Sequence, residues 1–166
     1  MDNLYMEDEF MLMYDIPGRE TIKIENIVLD YNGTIAVDGK ILEGVKDLLL
    51  ELKKQANIYI LTADTYGTVE RECSDIGVTV MTFPKENAGE SKKDIVKKLG
   101  GDKTVCVGNG FNDIPMFKES ILAIAIIEGE GTSGKLLAYA DIVTKSIIDA
   151  LKVILNESRI KATLRN

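Results

Sequence analysis

Histidine is absent from the 166 residues of this chain. Ser-His-Asp hydrolysis, Cys-His proteolysis, His-ligated zinc and phosphohistidine chemistry are excluded with it, because each turns on an imidazole. Cysteine is nearly absent too. The two present, Cys73 and Cys106, stand far apart, one in a helical pattern and one in a strand pattern, so they read as small buried hydrophobes rather than a disulfide or metal pair. Long apolar runs are also missing. The longest, Ile121 to Ile127, is far too short to cross a bilayer. Positive charge is in deficit, with 20 Lys and Arg against 27 Asp and Glu, and the net charge of −7 argues against sequence-independent nucleic-acid binding. The first residues carry Asp2, Glu7, Asp8 and Glu9 and no basic cluster, so no secretory signal is expected and a cytoplasmic location is. The remaining catalytic vocabulary is carboxylate, hydroxyl, amide, lysine and a hard metal ion.

What is present is ordinary globular material, 45% apolar and 28% charged, long enough for one core, and a single domain over residues 1–166 is expected. Its organising stretch is Ile27-Val28-Leu29-Asp30-Tyr31-Asn32-Gly33-Thr34, an apolar run that ends in a carboxylate and a turn. Residues 1–24 read as a loosely held arm, Met1 to Glu9, followed by a β-hairpin turning at Pro17-Gly18. Ile35 to Ile41 reads as a small hairpin flap with Asp38-Gly39 at its tip.

Periodicity then predicts helices over Glu43–Gln55, Tyr66–Ile76, Glu90–Leu99, Asn112–Lys118, Leu136–Tyr139 and Ser146–Leu155. Strands are expected at Asn57–Thr62, Val78–Met81, Thr104–Val107, Leu122–Ile126 and Asp141–Val143, and residues 158–166 form a basic tail that either docks or frays. Alternating strands and helices imply a three-layer, Rossmann-like α/β fold, a central parallel sheet with helices on both faces.

Ligands in such sheets bind beyond the carboxyl ends of the strands. Four polar segments point there: Asp30, Thr62, the region of Lys92, and Asn109 to Asp113. A lone Asp30 would be read as a cap or turn former, but three other polar segments reaching the same edge favour a reactive carboxylate, able to attack phosphorus if cations offset the meeting of two anions. Thr62 is as consistent with a plain N-cap as with a phosphate ligand. Of Lys92, Lys93, Lys97 and Lys98, most must be solvated. Asn109, Asn112 and Asp113 offer oxygens suited to Mg²⁺, with Asn112 equally readable as a turn former.

Asp30-Tyr31-Asn32-Gly33-Thr34, Thr62, Lys92 and Gly108-Asn109-Gly110-Phe111-Asn112-Asp113 resemble, in order and spacing, the four motifs of the haloacid dehalogenase (HAD) superfamily of phosphohydrolases, in particular its soluble P-type-ATPase-like members. The resemblance spans Ile24 to Leu155. It implies a HAD fold without a large cap, a small-molecule phosphate substrate, and hydrolysis through an aspartyl-phosphate on Asp30. It also implies Thr62, Ala63 and Lys92 around the phosphate, Asp30, Asn109, Asp113 and the Asn32 carbonyl around Mg²⁺, and Gly33, Thr34 and Asn112 in support. Lys92 is preferred to Lys93 because Lys92, Val96 and Lys97 match the Lys-x-x-x-Val-Lys spacing of the P-type ATPase motif. Ion transport is excluded for want of a membrane segment.

Two positions depart from the pattern. Asn32 stands where such phosphatases carry the Asp that acts as general acid and base, so turnover is expected to be slow or confined to good leaving groups. Asn109 replaces a metal-binding Asp, which weakens Mg²⁺ binding. The rival reading is a phosphate-binding or regulatory module without turnover. A capless site is open, so it either admits large substrates or borrows a neighbouring subunit as a lid, and a homo-oligomer is the expectation.

Overall fold

The computed structural model describes residues 10–64 and 66–166, so the arm expected over Met1–Glu9 lies outside the described residues. The hairpin strands are β1 (Leu12–Tyr14) and β2 (Ile22–Ile24), followed by β3 (Asn26–Asp30), the flap strands β4 (Ala36–Val37) and β5 (Lys40–Ile41), and α1 (Val45–Leu52). Then come β6 (Asn57–Thr62), α2 (Thr68–Glu72), β7 (Thr79–Thr82), α3 (Ala88–Leu99), β8 (Thr104–Gly108) and α4 (Ile114–Glu119). The chain ends with β9 (Leu122–Ile126), β10 (Ile142–Thr144), α5 (Ile147–Leu155) and α6 (Glu157–Leu164), and 3₁₀ turns occur at Gly101–Lys103, Phe111–Asp113 and Leu136–Tyr139.

Six strands pair in parallel in the order β10-β9-β8-β3-β6-β7. From β3 the chain moves outward through β6 and β7, then returns to β8 and moves the other way. The order reverses between β3 and β8, and this is where an open α/β sheet leaves a crevice at the carboxyl ends of its strands.

The two faces of the sheet carry separate cores, and the period-2 alternation of strands decides which residue joins which. Ile27 and Leu29 pack with Leu49 of α1 and Leu151 of α5, whereas Val28 packs with Val96 of α3 and Met116 of α4. Asp30 follows Val28 by two residues, so it shares the α3 face.

Several elements differ from their expected bounds. The helix expected over Tyr66–Ile76 is confined to Thr68–Glu72, and the one expected from Asn112 is a 3₁₀ turn leading into α4 with Pro115 in its first turn. The basic tail docks as α6, with Ile160 and Leu164 buried, and Asn166 donates to the carbonyl of Gly18 at 3.2 Å. The Tyr14 hydroxyl donates to the carbonyl of Ile154, while Glu25 N–H donates to Lys103 O at 3.0 Å. Hairpin and tail thus gather at the amino ends of the strands, opposite Asp30, and neither covers the site. Among the described residues, the flap and α1 lie between β3 and β6 and the one short α2 between β6 and β7, and no large cap is evident. Among the described residues, no helix is long and apolar enough to cross a membrane.

Candidate active site

Asp30 ends β3, and the chain leaves it through a turn that only glycine accommodates. Gly33 has a φ of +76°, and a Cβ there would overlap the side chain of Asn109. The turn carries Thr34 back over the carboxylate, and its hydroxyl lies 3.2 Å from Asp30 Oδ2 and 3.2 Å from Asn109 Oδ1.

Lys92 comes from the second turn of α3. Val96 and Leu99 sit one and two turns further along the same face, so the packing of α3 against the sheet drives Lys92 inward. Its side chain is 3% exposed, with Nζ 2.8 Å from Asp30 Oδ1, 2.7 Å from Asp113 Oδ1 and 3.1 Å from Asn112 Oδ1. All three ammonium protons are therefore engaged. Lys93 is instead 40% exposed at its side chain and reaches Glu90 at 3.5 Å.

Asp113 is fully buried. Its Oδ2 accepts from the backbone N–H groups of Asn109 at 3.1 Å and Gly110 at 2.9 Å, which closes the loop after β8. Gly108 is required beside it, since a Cβ there would overlap the Asp113 carboxylate. Asn109 is oriented from the far side by residues that sequence reasoning did not single out: its Nδ2 donates to Gly131 O at 2.9 Å, and its carbonyl accepts from Ser133 N–H at 2.8 Å.

Thr62 ends β6, next to β3 in the sheet. Its hydroxyl oxygen accepts from Asp64 N–H at 3.1 Å, leaving the hydroxyl proton available to an anion. Thr62, Ala63, Lys92, Asn109 and Asn112 line a pocket of ≈ 260 Å³ with Asp30 and Asn32, while Asp113 lies behind it. Asn32 is exposed at its mouth. The pocket also takes Phe83, just after β7, and Ala88, which opens α3, neither of which the sequence singled out.

The buried charges do not balance. Asp30 and Asp113 face one ammonium, which leaves an excess negative charge. Burial pushes the Asp30 carboxyl up to about 7, Asp113 adds to the rise, and Lys92 and Thr34 only partly offset it. Burial opposes the Lys92 charge as well, but Asp113 and Asp30 outweigh it and hold its pKa above the ordinary lysine value.

A hard cation fits this arrangement. The single Thr34 proton faces two acceptors, Asp30 Oδ2 and Asn109 Oδ1, so one of these oxygens lacks a donor at any moment. Asp113 has spent its lone pairs except one on Oδ1. Among the described residues no three His, Cys, Asp or Glu side chains cluster as a metal cage. Two carboxylates with amide oxygens suit an ion such as Mg²⁺ that retains several waters.

The model of the haloacid dehalogenase-like hydrolase family matches residues 2–120. The chain belongs to this family. Among HAD relatives, a soluble P-type ATPase-like phosphatase of Methanocaldococcus jannaschii is 32% identical over 129 residues, 74% of this chain but 47% of that protein, so the chain spans about half of it. Two solved 3-deoxy-D-manno-octulosonate 8-phosphate phosphatases share the HAD fold. The Yersinia pestis structure has a TM-score of 0.64 at 17% identity, covering 85% of this chain and 84% of that one. The Moraxella catarrhalis structure, containing magnesium, phosphate and KDO, has a TM-score of 0.63 at 18% identity, covering 86% and 94%.

Proposed function

We propose that this chain is a Mg²⁺-dependent phosphohydrolase that works through an aspartyl-phosphate on Asp30. The observation that carries the reading is Lys92, buried between Asp30 and Asp113 beside a small polar pocket at the sheet's switch point. A buried lysine between two buried carboxylates is costly for stability alone, and an anion site beside a nucleophile accounts for it.

A phosphoryl group entering the pocket would take the Thr62 hydroxyl proton and one proton of Lys92. The Lys92 contact to Asn112 Oδ1 is the longest of its three and the only one to a neutral acceptor, so it is the one exchanged. An Asp30 oxygen then forms a bond to phosphorus as the leaving-group oxygen departs with the bonding pair. Water attacks the phosphorus of phospho-Asp30, releasing phosphate and restoring the carboxylate. Asn32 cannot give or take a proton in either step, which favours leaving groups stable as anions, such as aryl and acyl phosphates; a missing general acid/base typically slows a reaction by ~10²–10⁴-fold.

Asp30, Asn109 and the Asn32 backbone carbonyl would hold Mg²⁺, with Asp113 offering its last lone pair. Bound there, the ion supplies the positive charge that lets phosphate approach a carboxylate. The M. jannaschii phosphatase and the magnesium and phosphate of the M. catarrhalis structure support the reading.

Acid-quenched protein incubated with acetyl phosphate and Mg²⁺ tests it. Wild type is expected to carry acid-stable phosphate and to release phosphate from p-nitrophenyl phosphate; Asp30→Asn should do neither. If wild type shows no more than Asp30→Asn in both assays, the chain is a binding module without turnover.

A further inference from the structure

Beyond the phosphate pocket lies a larger, solvent-open cleft of ≈ 740 Å³, within the ~300–1,000 Å³ range of small-molecule sites. Asn32, Ala63 and Phe83 line both spaces, so a molecule whose phosphate rests by Asp30 continues past these three residues into the cleft. Here the leaving group must sit.

The walls of the cleft are unlike those of the pocket. Phe83 forms the floor, Pro84 follows it, and Tyr66 stands at the rim, 85% exposed. The backbone that carries Tyr66 is tied down: its N–H donates to Asp64 Oδ1 at 3.0 Å, while Val69 N–H donates to the other oxygen of the same carboxylate at 3.0 Å. Each Asp64 oxygen thereby accepts one backbone N–H and fixes the turn that carries Tyr66. Lys85 and Glu86 at the rim are of opposite sign and give no preference for a second charged group. Asn32, Asp64 and Thr82 add polar groups to the lining, but Tyr66 and Phe83 give one cleft two aromatic side chains, which offer packing area to a planar body.

Building on the proposed phosphohydrolase reading, we infer that the substrates are phosphate esters of aromatic or heteroaromatic alcohols, with the ring packed between Tyr66 and Phe83. Tyr66 is then a specificity residue that contacts the leaving group and takes no part in the phosphoryl transfer.

Phenylphosphonate and methylphosphonate, which are not hydrolysed, separate binding from turnover. With Mg²⁺ present, titration calorimetry on wild type is expected to show phenylphosphonate binding at least ~3-fold more tightly, the size of one aromatic packing contact. Tyr66→Ala should bring the two affinities together, and Tyr66→Phe should keep them apart. Equal affinities in wild type, a preference that survives Tyr66→Ala, or no binding of either ligand would overturn the inference. A phenyl preference without p-nitrophenyl phosphate turnover would uphold this site and defeat the phosphohydrolase reading. Turnover without the preference would do the reverse.

Discussion

Asn109 donates its side-chain N–H to the carbonyl of Gly131 across 2.9 Å, which gives a physical reason for an amide at this position. A carboxylate would set an oxygen against the Gly131 oxygen and place a further negative charge beside Asp30. In metal-free protein Asn109→Asp is expected to cost about 1 kcal/mol, the value of one hydrogen bond. The same substitution offers a cation another charged ligand. Thermal melts with and without Mg²⁺ should show a larger Mg²⁺-dependent rise in Tm for Asn109→Asp than for wild type; an equal or smaller rise would place the cation away from Asn109.

Removing Lys92 leaves two buried carboxylates facing each other. Lys92→Ala is expected to lose about 3–5 kcal/mol in chemical denaturation, the penalty for breaking a buried pair from one side. The neighbouring Lys93 makes only an exposed contact with Glu90, and Lys93→Ala should change stability by less than about 0.5 kcal/mol. Similar losses at both positions would contradict the burial of Lys92 alone.

At the mouth of the pocket, Asn32→Asp restores a group able to exchange a proton. Hydrolysis of p-nitrophenyl phosphate is expected to rise by about 100-fold, the lower end of the general acid/base range. The decay of phosphoprotein formed from acetyl phosphate should quicken with it. No gain in either would mean that solvent already supplies the proton.

Far from the site, the Tyr14 hydroxyl ties β1 to the last turn of α5 through the Ile154 carbonyl. Tyr14→Phe should cost about 1–2 kcal/mol at neutral pH by leaving that carbonyl unpaired. Burial, aided by the nearby Glu157 charge, raises the Tyr14 pKa above its ordinary 10.0. The folded state therefore keeps a proton that the unfolded chain releases, so the stabilisation is complete below pH 10.0 and lost as the pH climbs above it. Denaturation curves around this pH should fall more steeply for wild type than for Tyr14→Phe.

The parallel sheet and its site-bearing edge were legible in the sequence because buried strands are written as short apolar runs, and the runs ending at Asp30, Thr62 and Gly108 stop at polar turns. The helix after β6 was overestimated. Tyr66 and Cys73 share an apolar-looking spacing, yet Tyr66 points to solvent and only Thr68–Glu72 is helical. Phe83 and Gly131 were not legible. Phe83 lies just past the strand expected over Val78–Met81 and Gly131 in a glycine-rich connection, and nothing local shows that either approaches Asp30.

The sequence by itself determined which chemistry is open to the chain: without histidine, and with Asp30, Thr62, Lys92 and Asp113 following strand patterns in order, carboxylate-based phosphoryl chemistry was the natural reading. Residue types and periodicity are local properties, and these conclusions needed no more. Only the tertiary structure decided that Lys92 spends all three protons inside the site, that Asn109 is held as an amide by Gly131, and that Tyr66 and Phe83 wall the outer cleft. Each of these depends on which distant segments the sheet order brings together, and the reversal of that order between β3 and β8 is set by packing on both faces, which no single stretch of sequence encodes.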